Sequence, residues 1–216
     1  MVIALAVVTA LISLTNWYAV ATSHARLEWW AKLLTMVALI ATALAAGAAS
    51  TGTGWWLLAA LAFGLLGDFA LLGSSNRRFV GGVLAFLVGH LAYVACFARL
   101  GLPAPGWAWI VIALVIGMAV VTRELVPTAW RLAGPALALP IAVYSLVIAA
   151  MLVVAWLTGV ALVAAGATVF VVSDTLIALT MARTELGRPH GRAQLAVMVT
   201  YHVGQALIVA GVLSQI

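Results

Sequence analysis

The chain has 216 residues, of which 67% are hydrophobic and only 7% charged, and its mean hydropathy is +1.25. A water-soluble domain carries about 25% charged residues, so a soluble protein is excluded and an integral membrane protein is implied. The net charge of +5 does not point to nucleic acid, because the basic residues sit in short polar breaks and are not interleaved with aromatics. They serve instead to orient the chain and to meet anionic headgroups.

Eight apolar runs follow one another, at residues 1–21, 32–49, 55–73, 79–98, 107–122, 133–156, 159–182 and 194–214. Each is near the roughly 20 residues that a helix needs to cross about 30 Å of hydrocarbon. The runs are continuous and rich in Ala and Leu, which argues for helices over the alternating strands of a barrel. The expected fold is therefore all-α, a single domain over residues 1–216 built as a bundle of eight transmembrane helices. The first run has no Lys or Arg ahead of it, so the basic start of a secretory signal is missing and it reads as a retained span. Pro135 and Pro140 are expected to kink the sixth run. Only Trp156-Leu157-Thr158-Gly159 separates the sixth run from the seventh, which demands a tight hairpin. Gly64, Gly67, Gly81, Gly82, Gly89, Gly166 and Gly204 are expected to let helices approach closely. Cys96 is the only cysteine, which leaves no disulfide and no cysteine metal cluster.

Two residue types support these boundaries. Trp17, Trp29, Trp30, Trp55, Trp56, Trp107, Trp109, Trp130 and Trp156 all fall close to predicted span ends, as an interfacial belt of lipid anchors would. Arg26, Lys32, Arg77, Arg78, Arg123, Arg131, Arg183, Arg188 and Arg192 follow or flank the odd-numbered runs, and Arg99 alone lies on the other side. This asymmetry predicts that both termini lie outside the cytoplasm. The expected location is a cell membrane crossed several times, the inner membrane in a bacterium.

Against this background Asp68 and Asp174 stand out. A charge in hydrocarbon costs on the order of 2.5–3.5 kcal/mol on insertion scales, so a chain that keeps two carboxylates there is expected to use them. Asp68 falls about five residues, or roughly 8 Å, from the cytoplasmic end of run three, and Asp174 about eight residues, or roughly 12 Å, from that of run seven. Lys32 opens run two on the same side. His90 and Tyr93 lie midway along run four, and Tyr201, His202 and Gln205 at a similar depth in run eight. Such one-sidedness predicts one polar cavity opening toward the cytoplasmic leaflet.

The residues also carry a resemblance. Leu66-Gly67-Asp68, the stretch from Phe79 to Gly82, Phe86, His90, Tyr93, Ser173-Asp174, Tyr201 and Gln205 resemble the YhhN-like family of eight-span membrane proteins. Lys32 and Thr35 sit where that family tends to have a Lys-Pro-x-Thr start, with Leu33 in place of the proline. The animal members are lysoplasmalogenases. The resemblance implies cleavage of the vinyl ether bond of a 1-alkenyl lysophospholipid to a fatty aldehyde and a glycerophospho-base. Membrane lipids and the lysophospholipid substrate are then the expected partners, with no nucleic acid.

Vinyl ether hydrolysis begins with protonation of the β-carbon and passes through an oxocarbenium ion. It needs a general acid and a negative group beside the developing cation, and no cofactor or metal is required. Two aspartates in different surroundings of one low-dielectric cavity supply both, one as the neutral acid and one ionised. Asp174 is expected to lie deeper and to be the acid. Asp68, nearer Arg77 and Arg78, is expected to be the carboxylate that steadies the cation. Lys32, His90, Tyr93, Ser173, Tyr201, His202 and Gln205 are the expected substrate-binding residues. Three other readings use the same residues: a proton-coupled transporter with the aspartates as relay, a zinc-dependent lipid hydrolase of the alkaline-ceramidase type, and a lipid-binding protein without turnover. The ceramidase pattern of one Ser, one Asp and three His is not reproduced here. No Gly-x-Ser-x-Gly elbow or Gly-Lys-Ser/Thr loop is present either.

Overall fold

The structure, a computed structural model, describes residues 1–73, 75–106, 109–184 and 189–216. Trp107 and Arg188, used above for the aromatic belt and the charge asymmetry, lie outside the described residues. Nine α-helices are described: α1 (Val2–Ala21), α2 (Ala25–Ala45), α3 (Gly52–Leu71), α4 (Asn76–Arg99), α5 (Ile110–Thr122), α6 (Leu125–Ala133), α7 (Pro135–Leu157), α8 (Ala161–Arg183) and α9 (Gly191–Leu213). There is no strand among the described residues. All of these helices except α5 and α6 are long and apolar enough to cross a membrane, seven in number. The chain is thus an all-α, multi-pass membrane protein, as its composition requires.

The seven long helices close into a ring. Along the chain α1 packs on α2, α2 on α3, α3 on α4, α4 on α7, α7 on α8, α8 on α9, and α9 returns to α1. Helix α5 lies outside this ring against α7 and α8. It covers the predicted fifth run, but its 13 residues rise only about 20 Å, short of a full hydrocarbon crossing.

Most helix ends fall within a few residues of the predicted ones, and the differences have local causes. Helix α2 begins at Ala25, seven residues before the predicted start at Lys32, because Arg26 and Glu28 extend the helix beyond the apolar run without breaking it. Helix α6 has no counterpart among the eight apolar runs. Its Leu125 and Ala129, one helical turn apart, are buried while Arg131 and Trp130 stay exposed, so the segment between runs five and six forms a short amphipathic helix against α7 and α8. Gly134 then turns the chain with φ 66°, and Pro135 occupies the first turn of α7. Pro135 therefore starts a helix instead of kinking one, since its missing N–H has no partner to lose there. Pro140 does lie inside α7. The tight hairpin at residues 156–159 forms as expected: Thr158 Oγ1 donates to Ala155 O and accepts from Val160 N, with Gly159 at φ 72°.

Close approach is clearest between α8 and α9. A Cβ placed on Gly204 would meet Phe170 N at 2.8 Å and Gly166 O at 3.0 Å. No atom of the described residues comes within 4 Å of one placed on Gly81. Trp29, Trp30, Trp55, Trp56, Trp109 and Trp130 are all exposed, as an interfacial belt requires. Trp17 and Trp156 are partly buried and bonded inward, Trp17 to His202 and Trp156 to Thr168, so these two are bundle contacts and not lipid anchors.

Candidate functional site

Within the ring lies a cavity of about 140 Å³. Its walls come from the ends of the long helices that carry the basic loops: the start of α2, the end of α3, the starts of α4, α7 and α9, the second half of α8, and Leu125 of α6. Most of the lining is apolar, with Phe79, Phe86, Ile141 and Met198 among it. Into this lining project Lys32, Asp68, Tyr144, Ser173, Asp174 and Tyr201. The two carboxylates therefore face one space.

Their surroundings differ. Asp68 sits near the end of α3 and is only 1% exposed. Lys32 Nζ is 2.8 Å from its Oδ1, and Tyr201 donates its hydroxyl to Oδ2 at 2.9 Å. Gly67, beside it, leaves room for the Phe86 ring, which a Cβ there would strike at 2.6 Å. Asp174, on α8, is partly exposed and accepts a hydrogen bond from the Tyr144 hydroxyl of α7. This reverses the expected order of burial. Depth along a helix did not decide it; Lys32 and Tyr201 close over Asp68, while the cavity lies open beside Asp174. The cation beside Asp68 is also Lys32 and not an arginine: Arg78 donates to Phe69 O at 2.9 Å and lies over the Phe69 ring, and Arg77 is exposed.

The remaining predicted residues divide into separate groups. Ser173 lines the cavity, but its hydroxyl is engaged with Val197 O at 3.1 Å and ties α8 to α9. Tyr93 donates to Gln205 Oε1, and the Gln205 side chain also interacts with Tyr201, so a buried polar chain runs from Lys32 through Asp68, Tyr201 and Gln205 to Tyr93. Neither Tyr93 nor His90 lines the carboxylate cavity. His90 donates Nδ1–H to Phe86 O at 2.6 Å and is packed edge-on against Tyr144 and Phe170, with ring centroids 5.3 and 5.0 Å away. His202 and Gln205 line a second cavity, between α1, α2 and α9. The single polar cavity expected from the sequence is thus two, separated by α9, which turns Tyr201 to one and His202 to the other. No group of three His, Cys, Asp or Glu side chains converges among the described residues.

Sequence reasoning missed Tyr144 and Trp17, the partners of Asp174 and His202. Tyr144-Ser145 was visible as a pair of hydroxyl residues inside an apolar run, four residues beyond Pro140. Trp17 carried no such signal, because its place at a span end is that of an ordinary interfacial anchor.

A ring of membrane-spanning helices around an internal cavity with two carboxylates defines the class, a multi-pass membrane protein with a site built inside its bundle. The family model of the YhhN family matches residues 27–212, and the chain belongs to that family. No curated protein and no solved structure matches it.

Proposed function

We propose that the chain is an integral membrane hydrolase of the lysoplasmalogenase type, cleaving the vinyl ether bond of 1-alkenyl lysophospholipids. The observation that carries this reading is that Asp68 and Asp174 line one largely apolar cavity with different partners, an ammonium at Asp68 and a phenol at Asp174. Membership of the YhhN family is consistent with a hydrolase. In this reading eight helices cross a cell membrane with both termini outside the cytoplasm, and the cavity opens toward the basic, cytoplasmic side. The alkenyl chain lies along the apolar wall, and the phosphate stays at the arginine-rich interface.

Asp174 acts as the neutral acid and gives its proton to the β-carbon of the enol ether. The carbon–carbon π pair forms the new C–H bond, and a lone pair of the ether oxygen moves onto the adjacent carbon to give an oxocarbenium ion. The Asp68 carboxylate, held by Lys32 and Tyr201, faces that cation and stabilises it. Water adds to the cationic carbon and returns a proton to Asp174. The hemiacetal then collapses to the aldehyde and the glycerol hydroxyl, so the acid is regenerated and one water is consumed. With Asp174 neutral and Asp68 paired to Lys32, the resting site carries no net charge, which suits its apolar walls.

Aldehyde release from 1-alkenyl lysophospholipid by detergent-purified protein tests this. Asp174→Asn keeps the size of the side chain and removes the proton, and turnover is expected to fall by about 10²–10⁴ with folding retained. Asp68→Asn is expected to impair turnover as well. A monodisperse Asp174→Asn protein with wild-type turnover removes Asp174 from the acid role. Substrate uptake into proteoliposomes under a pH gradient, with no aldehyde formed by the wild type, replaces hydrolysis with transport.

A further inference from the structure

The second cavity, of about 560 Å³, is a groove along α1, α2 and α9. It is lined by Val2 and Leu213 at one end and by Trp17 and His202 at the other. The stretch of α1 between these ends is about 22 Å long at 1.5 Å per residue. Ala10, Leu14 and Ala206 stay exposed along it. Among the described residues no Lys, Arg, Asp or Glu lines the groove, and Lys32 is held by Asp68 in the other cavity.

The hydroxyls along the groove are already engaged. Thr9, Ser13, Thr35 and Thr42 each donate to the carbonyl one turn back in their own helix. His202 differs. Trp17 Nε1–H lies 3.1 Å from His202 Nδ1, and an indole N–H can only donate. Nδ1 is therefore the acceptor, and the neutral ring carries its proton on Nε2. That Nε2 is buried and has no hydrogen-bond partner, on a side chain only 4% exposed. A buried donor without an acceptor among the described residues is costly, and His202 is one of the residues that line the groove.

We propose that this groove is a second lipid site, which takes a neutral single-chain amphiphile whose terminal oxygen accepts a hydrogen bond from His202 Nε2–H. The apolar length fits one extended hydrocarbon chain and the lone donor fits one oxygen. The absence of a lining cation disfavours a carboxylate or phosphate end group. A long-chain alcohol and a long-chain aldehyde share the required chemistry. The site does not depend on what the carboxylate cavity does, although the aldehyde released there under the proposed function is such a molecule.

Photolabelling with a diazirine-bearing long-chain alcohol, on protein in phosphatidylcholine nanodiscs, reads the site directly. Labelled peptides are expected from α1, α2 and α9, with hexadecanol and hexadecanal competing at about tenfold lower concentration than hexadecane, the worth of one hydrogen bond. Palmitate is expected to compete no better than hexadecane. His202→Phe keeps a ring and removes the donor, so the alcohol should lose its advantage. Ala10→Phe fills the exposed groove wall on α1, about two helical turns from Trp17, and should abolish labelling. Aldehyde recovered from purified wild-type protein but not from Asp174→Asn assigns the occupant to the carboxylate cavity, and alcohol recovered from both assigns it to the bilayer. Equal competition by hexadecane in the wild type, or a full alcohol preference in monodisperse His202→Phe, overturns the proposal and leaves a groove filled by ordinary lipid chains.

Discussion

At the scale of residues, the Lys32–Asp68 pair makes a prediction about stability separate from activity. Asp68 is 1% exposed and Lys32 11%, and the two sit 2.8 Å apart. Removing one partner of a buried pair leaves the other charge uncompensated, at about 3–5 kcal/mol, whereas removing both charges together is far milder. Lys32→Met is expected to lower the thermal midpoint of the purified protein markedly. Adding Asp68→Asn to it should restore most of the loss. If the double variant is no more stable than Lys32→Met, the ion pair is not what stabilises this end of the bundle. The sequence pointed to both residues, since a Lys and an Asp inside apolar runs are conspicuous by cost alone. It could not say that they touch, because that depends on how α2 and α3 rotate against each other. The same limit hides from the sequence which cation, Lys32 or an arginine, sits beside Asp68.

At the scale of elements, the helices were legible because each apolar run is long and bounded by polar residues or glycine. Helix α6 was not, because residues 125–133 are too short and too mixed to register as a span. Its amphipathic spacing of Leu125 and Ala129 is meaningful only once α7 and α8 are there to receive it. The pairing of α8 with α9 is also a matter of packing, and it can be tested through glycine. At Gly204 a Cβ would lie 2.8 Å from Phe170 N, a backbone atom that cannot move without its helix. Gly204→Ala is expected to destabilise by roughly 1–3 kcal/mol, as overpacking does. Gly81→Ala, on α4 with nothing within 4 Å, should be neutral or stabilising by about 0.5–1 kcal/mol through helix propensity. Thermal unfolding in one detergent compares the two. Equal effects at both positions would mean that α8 and α9 are not in close contact at Gly204.

At the scale of the whole molecule, the ring and the charge asymmetry have to agree. The carboxylate cavity is bounded by the helix ends nearest Arg26, Arg77, Arg78, Arg123, Arg131, Arg183 and Arg192, while Arg99 lies at the opposite end of α4. Since basic loops stay in the cytoplasm, the cavity and all of these loops should share that side. Seven helices are long enough to span, and α5 supplies the eighth crossing only if it reaches through the membrane with the residues ahead of it. The two possibilities give opposite answers in one place. With α5 crossing, topology reporters fused after Gly73, Arg123 and Pro189 should read cytoplasmic, and those after Ser50, Pro105 and Ile216 should read outside. The fusion after Arg123 ends the chain before α6, so that helix has no part in the reading. With α5 not crossing, Pro105 and Arg123 would report the same side. Because α7 must still return the chain across the membrane, one half of the bundle would then be inverted relative to its arginines. The expected alternation follows from the charges. A Pro105 reading equal to that of Arg123 would put the starts of α4 and α7 on opposite sides of the membrane, and the ring with its shared cavity would fail.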